Sequence, residues 1–503
     1  MPSVIDLTLA GRKVWHHGPW SRTPVDAAVF ELAGAELAQG RFGLLDLWAE
    51  PGIVHLAILD ATAQAVAVFS LACPDQHYPS ISSQHPPALR LERAIHDLYG
   101  LSAQGSADSR PWLDHGAWGA QAPLGAQVGG SPQASPYRFL PAQGCGLHQI
   151  AVGPVHAGII EPGHFRFSAS GETVVRLEQR LGYTHKGIEG LMRGARLARA
   201  TELAGRVSGD STVAYAYAFA RAAEAALQLD APARAIWLRA LLAELERLAN
   251  HLGDIGAICN DASFALMHAH CAVLRESVLR ASDNAFGHRL LRDIITPGGV
   301  ARDLGGDGTA AIRAALQNIR RRFPALIELY ENTASLQDRT VATGILQHGL
   351  AEQYAAGGPI GRASGRSFDA RRTLVYPPYD SLRFEVPMLR EGDVNARIWI
   401  RVREVEQSLS LIEQILDRLP QGPYRAEIIA RPEIREGLAM VEGFRGEVLA
   451  FVRLRDGEVE HCRLRDPSWF QWPLLEAVIA GNIVADFPLC NKSFNCSYSG
   501  HDL

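Results

Sequence analysis

The sequence predicts an α+β fold in which a small N-terminal α/β domain precedes a mostly helical bundle domain with peripheral β-strands. Three observations lead to this prediction. Short apolar runs separated by turn residues occupy 42–71, as is typical of strands. Apolar residues recur every three or four positions over 237–255 and over 402–419, as is typical of helices with one packed face. Two apolar runs flank Asp456 and Gly457, which indicates a hairpin over 447–464.

The chain of 503 residues is longer than one ordinary domain, and its composition divides it into three parts. Residues 1–100 are expected to form the small α/β domain. Residues 101–140 are rich in Ala, Gly, Ser, Pro and Gln, which bury little apolar surface, so they are predicted to be a linker. Residues 141–503 are expected to form the helical domain.

The elements of the first domain are three strands and a helix. The strands are predicted at 42–48, 53–59 and 65–71, and the helix at 90–99.

The elements of the second domain are set by two apolar stripes. The first consists of Trp237, Leu241, Leu245, Leu248, Leu252 and Ile255. The second consists of Val402, Val405, Leu409, Ile412, Leu416 and Leu419, and Pro420 and Gly422 are expected to end its helix. Both stripes are interpreted as core faces of a helix bundle.

Charge and cysteine content exclude several classes of protein. A net charge of −5 and a pI near 6.4 provide no general attraction to nucleic acid or anionic lipid. Seven cysteines without a repeated close spacing suit a reducing cytoplasm. We expect neither a signal peptide nor a membrane-spanning segment, because the sequence contains no charged start followed by an apolar run and no uninterrupted apolar stretch of about 18 residues. Attachment to a membrane would therefore depend on partner subunits.

Several ordered segments resemble one known family. They are VGPVHAGIIEPGHFRF and GETVVRLEQRLGYTHKGIEGLMRG, followed by 244–261, 357–365, 391–409, 442–447 and 463–476. These segments are similar to the family that unites the large subunit of energy-converting NiFe hydrogenases, formate hydrogenlyase type included, with the quinone-site subunit of respiratory complex I. The resemblance covers roughly residues 148–503 and implies a NiFe hydrogenase large-subunit-like fold.

The N-terminal part shows a second resemblance. The run YPSISSQHPPALRLERAIHDLYG looks like the small subunit that lies beside the quinone-site subunit in complex I. This implies a fusion of two subunits, as occurs in formate hydrogenlyases.

Four positions lie where the hydrogenase branch has two Cys-x-x-Cys pairs. They are Ser208, Ser211, Cys496 and Ser499. A serine hydroxyl remains protonated near neutral pH and is a poor ligand for a soft metal. The resemblance therefore implies a cavity lined by these four residues, with no metal ligands and with nickel not expected. Alternatively, Cys496 is a buried small apolar residue.

Four further residues match functional positions of the family. His164 corresponds to a histidine that meets the quinone headgroup, and a neutral imidazole can donate a hydrogen bond and pass a proton. His185 and Glu189, with Lys186 between them, match an element that could form a proton and charge relay. Arg445 matches an arginine close to the metal site. The structural alternatives are a loop histidine for His164, an ion-paired helix start for His185, and for Arg445 a salt bridge to Glu442 or Glu447.

Three further polar residues are candidates for a role in the site: Asn250, Asp254 and Asp393. Asn250 and Asp254 share one helix face at a spacing of four, near the electron-entry side of the family. Asp393 is a carboxylate for a proton path or, more simply, a helix N-cap.

The resemblance implies a cytoplasmic subunit that is peripheral to the plasma membrane, within a complex that couples electron transfer to ion translocation. The implied partners are an iron–sulfur small subunit, which carries the cluster, and antiporter-like membrane subunits; nucleic acid is not expected. Quinone is a possible cofactor. Two alternatives remain open: an active NiFe hydrogenase of formate hydrogenlyase type, and a non-catalytic structural subunit.

Overall fold

A computed structural model describes residues 13–126, 128–130, 136–156, 158 and 160–503. The predictions for residues 1–12, and for 127 and 131–135 within the expected linker, lie outside these ranges.

The described residues form helices that concentrate in the second half of the chain. They are α1 (Ala27–Ala38), α2 (Leu89–Tyr99), α3 (Ile188–Met192), α4 (Leu197–Ala204), α5 (Thr212–Leu227), α6 (Ala233–Asp261), α7 (Ala265–Phe286), α8 (Gly306–Asn332), α9 (Ala334–Thr340), α10 (His348–Gln353), α11 (Gly358–Ala363), α12 (Ala370–Thr373), α13 (Val394–Arg418), α14 (Ser468–Val478), α15 (Phe487–Phe494) and α16 (Tyr498–Asp502). Short 3-10 turns lie at Pro86–Ala88, Gly209–Ser211 and Val484–Asp486.

The described strands belong to several small sheets. They are β1 (His17–Gly18), β2 (Arg22–Val25), β3 (Gly43–Glu50), β4 (Ile53–Asp60), β5 (Ala65–Ala72), β6 (His77–Pro79), β7 (Ser102–Gln104), β8 (Leu147–Val152), β9 (His164–Ser170), β10 (Thr173–Arg180), β11 (Ile295–Thr296), β12 (Gly299–Val300), β13 (Arg435–Gly443), β14 (Gly446–Arg455) and β15 (Glu458–Arg465).

The predicted elements of the N-terminal part are confirmed. Strands β3, β4 and β5 are joined antiparallel, and β2 adds parallel to β5, in the order β2-β5-β4-β3. Helix α2 occupies the predicted position. The sheet forms because Val, Ile, Leu and Phe side chains are buried along all three strands.

The hairpin predicted at 447–464 is also confirmed. Strands β14 and β15 join β13 and β1 in a four-stranded sheet. All residues of β13 are buried. Helix α5 packs directly on β13: a Cβ atom at Gly437 would lie 1.9 Å from the carbonyl oxygen of Ala222, so only glycine permits this close approach.

Both predicted helix stripes are confirmed as buried faces. They lie on α6 and α13, which pack against each other and against α7 and α8. No helix within the described ranges is both long and apolar enough to cross a membrane.

The N-terminal sheet contacts the sheet of β13 to β15 through buried ion pairs. Asp46 on β3 accepts two hydrogen bonds from Arg463 on β15, at 2.9 and 3.1 Å. Glu50 pairs with Arg453. The rings of Trp48 and Phe451 lie 5.5 Å apart between these pairs. Apolar side chains from both parts therefore share one continuous core.

The segment 101–140 contributes to this core at a few positions. Trp112 and Leu113 are 1% exposed, and the backbone N–H groups of both donate to Asp97 at 2.7 Å. Arg110 donates to Glu178 at 2.6 Å. The division at residues 100 and 140 remains a prediction.

Candidate functional site

Two tight backbone segments bring the mid-chain serines and Arg445 together. Residues 205–211 connect α4 to α5 and include a 3-10 turn. Arg445 lies in the two-residue turn that joins β13 to β14, where Gly443 pairs with Gly446. The turn places the arginine side chain at the end of the sheet, beside the N-terminus of α5.

Arg445 and Asp210 form a two-pronged ion pair at the centre of the site. Nη1 and Nη2 of Arg445 donate to the two carboxylate oxygens of Asp210, at 2.9 and 2.6 Å. Parallel N–H donors match a carboxylate in this way only for arginine. The alternative in which Arg445 pairs with Glu442 or Glu447 is wrong, because those carboxylates pair with Arg362 and Arg465.

The two serines are hydrogen-bonded to the same carboxylate. Ser208 Oγ donates to Asp210 Oδ1 at 2.6 Å, and Ser211 Oγ donates to it at 3.3 Å. Ser211 Oγ also accepts from Arg445 Nη1 at 2.9 Å. Burial raises the pKa of Asp210, but the charge of Arg445 and these hydrogen bonds outweigh it and lower the pKa to about 2. Asp210 is therefore ionised at neutral pH.

The C-terminal tail completes the Arg445 cluster, which consists of Arg445, Asp210, Ser208, Ser211 and the tail residues in contact with them. Arg445 Nε donates to the carbonyl oxygen of Asn495 at 2.6 Å, in the connection between α15 and α16. Cys496 follows and is 5% exposed; burial raises the pKa of its thiol far above the usual range. The Oγ atoms of Ser497 and Ser208 lie 3.4 Å apart. The tail and the mid-chain segment thus meet, as the resemblance implies.

Ser499 points to a different partner. Its hydroxyl and its backbone N–H both donate to Oε2 of Glu161, at 3.0 and 3.1 Å. Glu161 precedes His164 in the connection that leads into β9. The ring of Tyr498 lies against the same connection, since a Cβ atom at Gly163 would be 2.7 Å from it.

Helix α6 supplies polar groups from below the cluster. Asn250 Nδ2 donates to the carbonyl oxygen of Asp210 at 2.8 Å. Asp254 accepts from Asn495 at 2.9 Å and from Arg401 at 3.1 Å. Asn250 and Asp254 therefore share one helix face, as predicted, and that face is directed at the cluster.

His164 is buried at the start of β9. Its Nδ1 donates to the carbonyl oxygen of Gly153 at 3.0 Å, because a carbonyl can only accept. In the neutral ring Nε2 is then a hydrogen-bond acceptor, and it is buried without a partner among the described residues. Burial lowers the pKa of His164. The neutral ring can thus accept a proton at Nε2, but it cannot donate from this atom as the family resemblance implies.

His185 is held by the C-terminal residues. Its Nδ1 donates to the carbonyl oxygen of Asp502 at 2.7 Å, and its ring stacks on Trp118 at 4.7 Å. Lys186 turns away and donates to the carbonyl oxygen of Val207 at 2.7 Å, next to Ser208. Burial lowers the pKa of Lys186. His185 and Lys186 therefore contact different parts of the protein, so the residues of the expected relay are not together.

Glu189 lies on the same side as His185. Its Oε1 accepts from the backbone N–H of Leu464 at 3.0 Å and from Arg463 at 3.4 Å. Burial raises its pKa. His185 and Glu189 both line an apolar cavity of about 250 Å³, and none of the four serine and cysteine positions lines it.

Two important residues are not singled out by the sequence. Asp210 and Glu161 are the hydrogen-bond acceptors for the serines. Tyr215 donates to Asp466 at 2.7 Å beneath the tail. A signal exists for Asp210, because a carboxylate between two positions expected to line a cavity implies a partner of opposite charge.

The donor set at the four positions does not fit a nickel–iron centre. Three of the four side chains are hydroxyls, and the one thiol is held protonated by burial. A guanidinium hydrogen-bonded to Asp210 and Ser211 lies among them. Among the described residues, no three or more His, Cys, Asp or Glu side chains are grouped to hold a metal ion.

Family models match two regions of the chain. Residues 261–435 match the respiratory-chain NADH dehydrogenase 49 kDa subunit, and residues 51–132 match the 30 kDa subunit. One polypeptide thus carries regions similar to two subunits, as its N-terminal resemblance implies.

Individual proteins extend this similarity over most of the chain. Formate hydrogenlyase subunit 5 of Escherichia coli is 31% identical over 84% of this chain and 77% of its own length. An NADH-quinone oxidoreductase subunit of Dehalococcoides mccartyi is 30% identical over 67% of this chain and 93% of its own length. A chain in the structure of the membrane-bound sulfane sulfur reductase, an archaeal respiratory membrane complex, matches with a TM-score of 0.67 and 25% identity over 71% of this chain and 98% of that one.

Fold and comparisons together define an oxidoreductase-family subunit. The chain belongs to the family that unites the 49 kDa subunit of complex I with the large subunits of formate hydrogenlyase-type hydrogenases.

Proposed function

We propose that this chain is a peripheral-arm subunit of a membrane-bound oxidoreductase complex that couples electron transfer to ion translocation, and that its central cavity operates without a nickel–iron centre. The names of its relatives, formate hydrogenlyase, NADH-quinone oxidoreductase and a respiratory membrane complex, support the first part. In this proposal an iron–sulfur subunit supplies the cluster and antiporter-like subunits hold the chain at the cytoplasmic side of the membrane.

The observation that carries the second part is the ion pair between Arg445 and Asp210. Thiolates around nickel and iron would supply several negative charges; here one carboxylate supplies the charge, and an arginine neutralises it. Two serine hydroxyls share that carboxylate. The site is thus a polar, hydrogen-bonded cluster, suited to orienting a substrate or moving protons.

His164 is the group we propose for proton transfer. Its acceptor Nε2 is buried and has no partner among the described residues, and its lowered pKa keeps it neutral and able to take up a proton. Quinone is the cofactor class that the family suggests, and a quinone or quinol oxygen is a group with which this atom could exchange a proton.

The first test is metal analysis of the intact complex. We expect no stoichiometric nickel, because hydroxyl oxygens are poor ligands for it. The double variant Ser208→Cys, Ser211→Cys should not restore hydrogen activity, since Ser499 is unchanged. About one nickel per chain in the purified complex would instead support an active hydrogenase.

The second test separates an active cavity from a purely structural subunit. His164→Ala should lower turnover by about a hundredfold, the usual cost of losing a positioned proton-transfer group. Arg445→Ala should also lower it, because Asp210 loses its partner of opposite charge. The matched control is Arg199→Ala, which removes only an exposed ion pair with Glu202. Assembly is verified by size-exclusion chromatography. Wild-type turnover in an assembled His164→Ala, Arg445→Ala variant would support the structural-subunit alternative.

A further inference from the structure

A cleft of about 700 Å³ lies between the N-terminal sheet and the helical part, away from the Arg445 cluster. On one side are the end of α1 and the start of β3; on the other are α10 and the connection into α12. The side chains that matter for its chemistry are Arg41, His85, Glu352, Arg366 and Arg372, with the rings of Phe42 and Phe368.

The buried arginine of this cleft lacks a close carboxylate. Arg366 is 8% exposed, and its hydrogen bond goes to the carbonyl oxygen of Ala356 at 2.8 Å. The nearest carboxylate oxygen, on Glu352, lies 3.9 Å from Nε. Glu352 is half exposed, which weakens its attraction further. A buried charge normally has a hydrogen-bonded partner of opposite sign, so Arg366 is under-compensated.

The charged residues behind Arg366 do not fully compensate its positive charge. Glu447 lies behind Arg366, but its Oε1 already accepts from Arg465 at 3.3 Å. Arg465 is fully buried, and its Nε and Nη2 have no hydrogen-bond partner among the described residues. Glu447 Oε2 has no hydrogen-bond partner among the described residues, so Arg366 is attracted to Glu447 and to the buried Glu442 without a hydrogen bond to either.

The rest of the cleft adds donors rather than acceptors. Arg372 donates from Nη2 to the carbonyl oxygen of Phe384 at 2.5 Å and forms no ion pair within the described ranges. Arg41 is balanced by Glu36 at 3.1 Å. His85 is 2% exposed, and neither ring nitrogen has a hydrogen-bond partner in the described part of the chain. A bound ligand is one way to satisfy unpartnered buried polar groups of this kind.

We propose that this cleft binds a small molecule bearing a phosphate or carboxylate oxyanion, held by Arg366 and Arg372. Guanidinium groups bind such oxygens with paired, charge-assisted hydrogen bonds. The cleft is a second site and does not depend on the function proposed for the Arg445 cluster. Because it lies between the two parts of the chain, a ligand there would contact both.

The experiment is a calorimetric titration of the full chain at low ionic strength, with sodium pyrophosphate in one arm and citrate in the other. We expect saturable binding that weakens as salt is added, because surface charge interactions are screened. Binding in the pyrophosphate arm alone assigns the site to phosphates, and binding in the citrate arm alone assigns it to carboxylates.

Three variants test the assignment to this cleft. Arg372→Gln should weaken binding about tenfold or more, the usual cost of losing a charge-assisted hydrogen bond. Glu352→Gln should tighten it about threefold, because a like charge is removed. Arg199→Gln, an exposed arginine outside the cleft, is the matched control and should leave the affinity unchanged.

Arg366→Gln should abolish binding, and circular dichroism is used to check that this variant folds. If Arg366→Gln does not fold, the test depends on Arg372→Gln, which changes a partly exposed position. The proposal is overturned if neither anion binds saturably, if Arg372→Gln keeps the wild-type affinity, or if Arg199→Gln weakens binding as much.

Discussion

At the scale of single residues, Arg445 joins segments that are far apart in the sequence. Its Nη groups bind Asp210 and Ser211, and its Nε binds the backbone of Asn495. A lysine has a single nitrogen and could not hold three partners in one plane. The mid-chain turn and the C-terminal tail therefore depend on the same side chain.

Only part of this arrangement can be predicted from the sequence. The positions Ser208, Ser211, Cys496 and Arg445 follow from resemblance to a family that places them around one cavity. Asp210 is not among the positions that the resemblance marks, and its partner is 235 residues away in sequence. Sequence spacing carries no information about such a pair, because only the folded sheet brings the β13–β14 turn to the start of α5.

Glu246, beneath the cluster, provides a residue-scale prediction. It accepts hydrogen bonds from the backbone N–H groups of Val213 and Ala214, at 2.7 and 3.1 Å. Burial raises its pKa to about 8. Between pH 5 and 8 the native state therefore keeps a proton that the unfolded chain releases, so this group lowers the stability of the wild type as pH rises.

Glu246→Gln should remove that pH dependence, since glutamine keeps one of the two acceptor oxygens and has no proton to lose. Relative to the wild type, we expect the variant to gain on the order of a few kcal/mol between pH 5 and pH 9. Urea unfolding at both pH values measures it. Glu202→Gln, at an exposed site, is the control; an equal change in that variant, or a constant difference for Glu246→Gln, would contradict the prediction.

At the scale of elements, clear periodicity is visible where a helix has one buried face. The stripes on α6 and α13 are predictable for this reason. Helix α5 is buried at nearly all positions, so its apolar residues show no period. Helix α7 exposes Leu266 and Val273 at 52% and 51%, which blurs its pattern. Neither is therefore predicted from the sequence as a separate element.

The start of α13 provides an element-scale prediction. The interpretation of Asp393 as an N-cap is confirmed: its carboxylate accepts from the backbone N–H of Ala396 at 2.7 Å. Its second oxygen accepts from the N–H of Ala342, also at 2.7 Å. One buried side chain thus satisfies donors from two segments.

Asp393→Ala should lower the free energy of unfolding by about 2 kcal/mol or more, because both N–H groups lose their acceptor. Asp393→Asn should lower it less, since one acceptor oxygen remains. The control is Asp26→Ala at the exposed N-cap of α1, where about 1 kcal/mol or less is expected. Equal losses for Asp393→Ala and Asp26→Ala would show that the second contact contributes nothing.

At the scale of the whole molecule, the sequence divides into two regions, but in the fold these regions share one continuous core. Composition separates 1–100 from 141–503, and two family models match different regions. Yet Asp46 and Glu50 pair with arginines on β15 and β14, and both carboxylates are buried. This contact cannot be predicted from the sequence, because an ion pair between two regions leaves no pattern in either.

Limited proteolysis tests how the two parts are joined. Residues 143–146 are exposed, whereas 235–260 lie mostly within the buried helix α6. We expect the first cut in or beside the 101–140 segment, with both fragments remaining folded. The nicked chain should elute as one particle even in 1 M salt, because buried ion pairs and apolar contacts are little affected by screening.

The buried ion pair between Asp46 and Arg463 should contribute to holding the two fragments together. Asp46→Ala leaves the buried charge of Arg463 with only the longer contact to Glu189, at 3.4 Å. Losing one partner of a buried pair costs about 3–5 kcal/mol, so the nicked variant should separate at a clearly lower urea concentration than the nicked wild type. Glu202→Ala, which breaks an exposed pair, should separate with the wild type. A first cut within 235–260, or fragments that part in salt alone, would show that the two regions are joined mainly by the peptide chain.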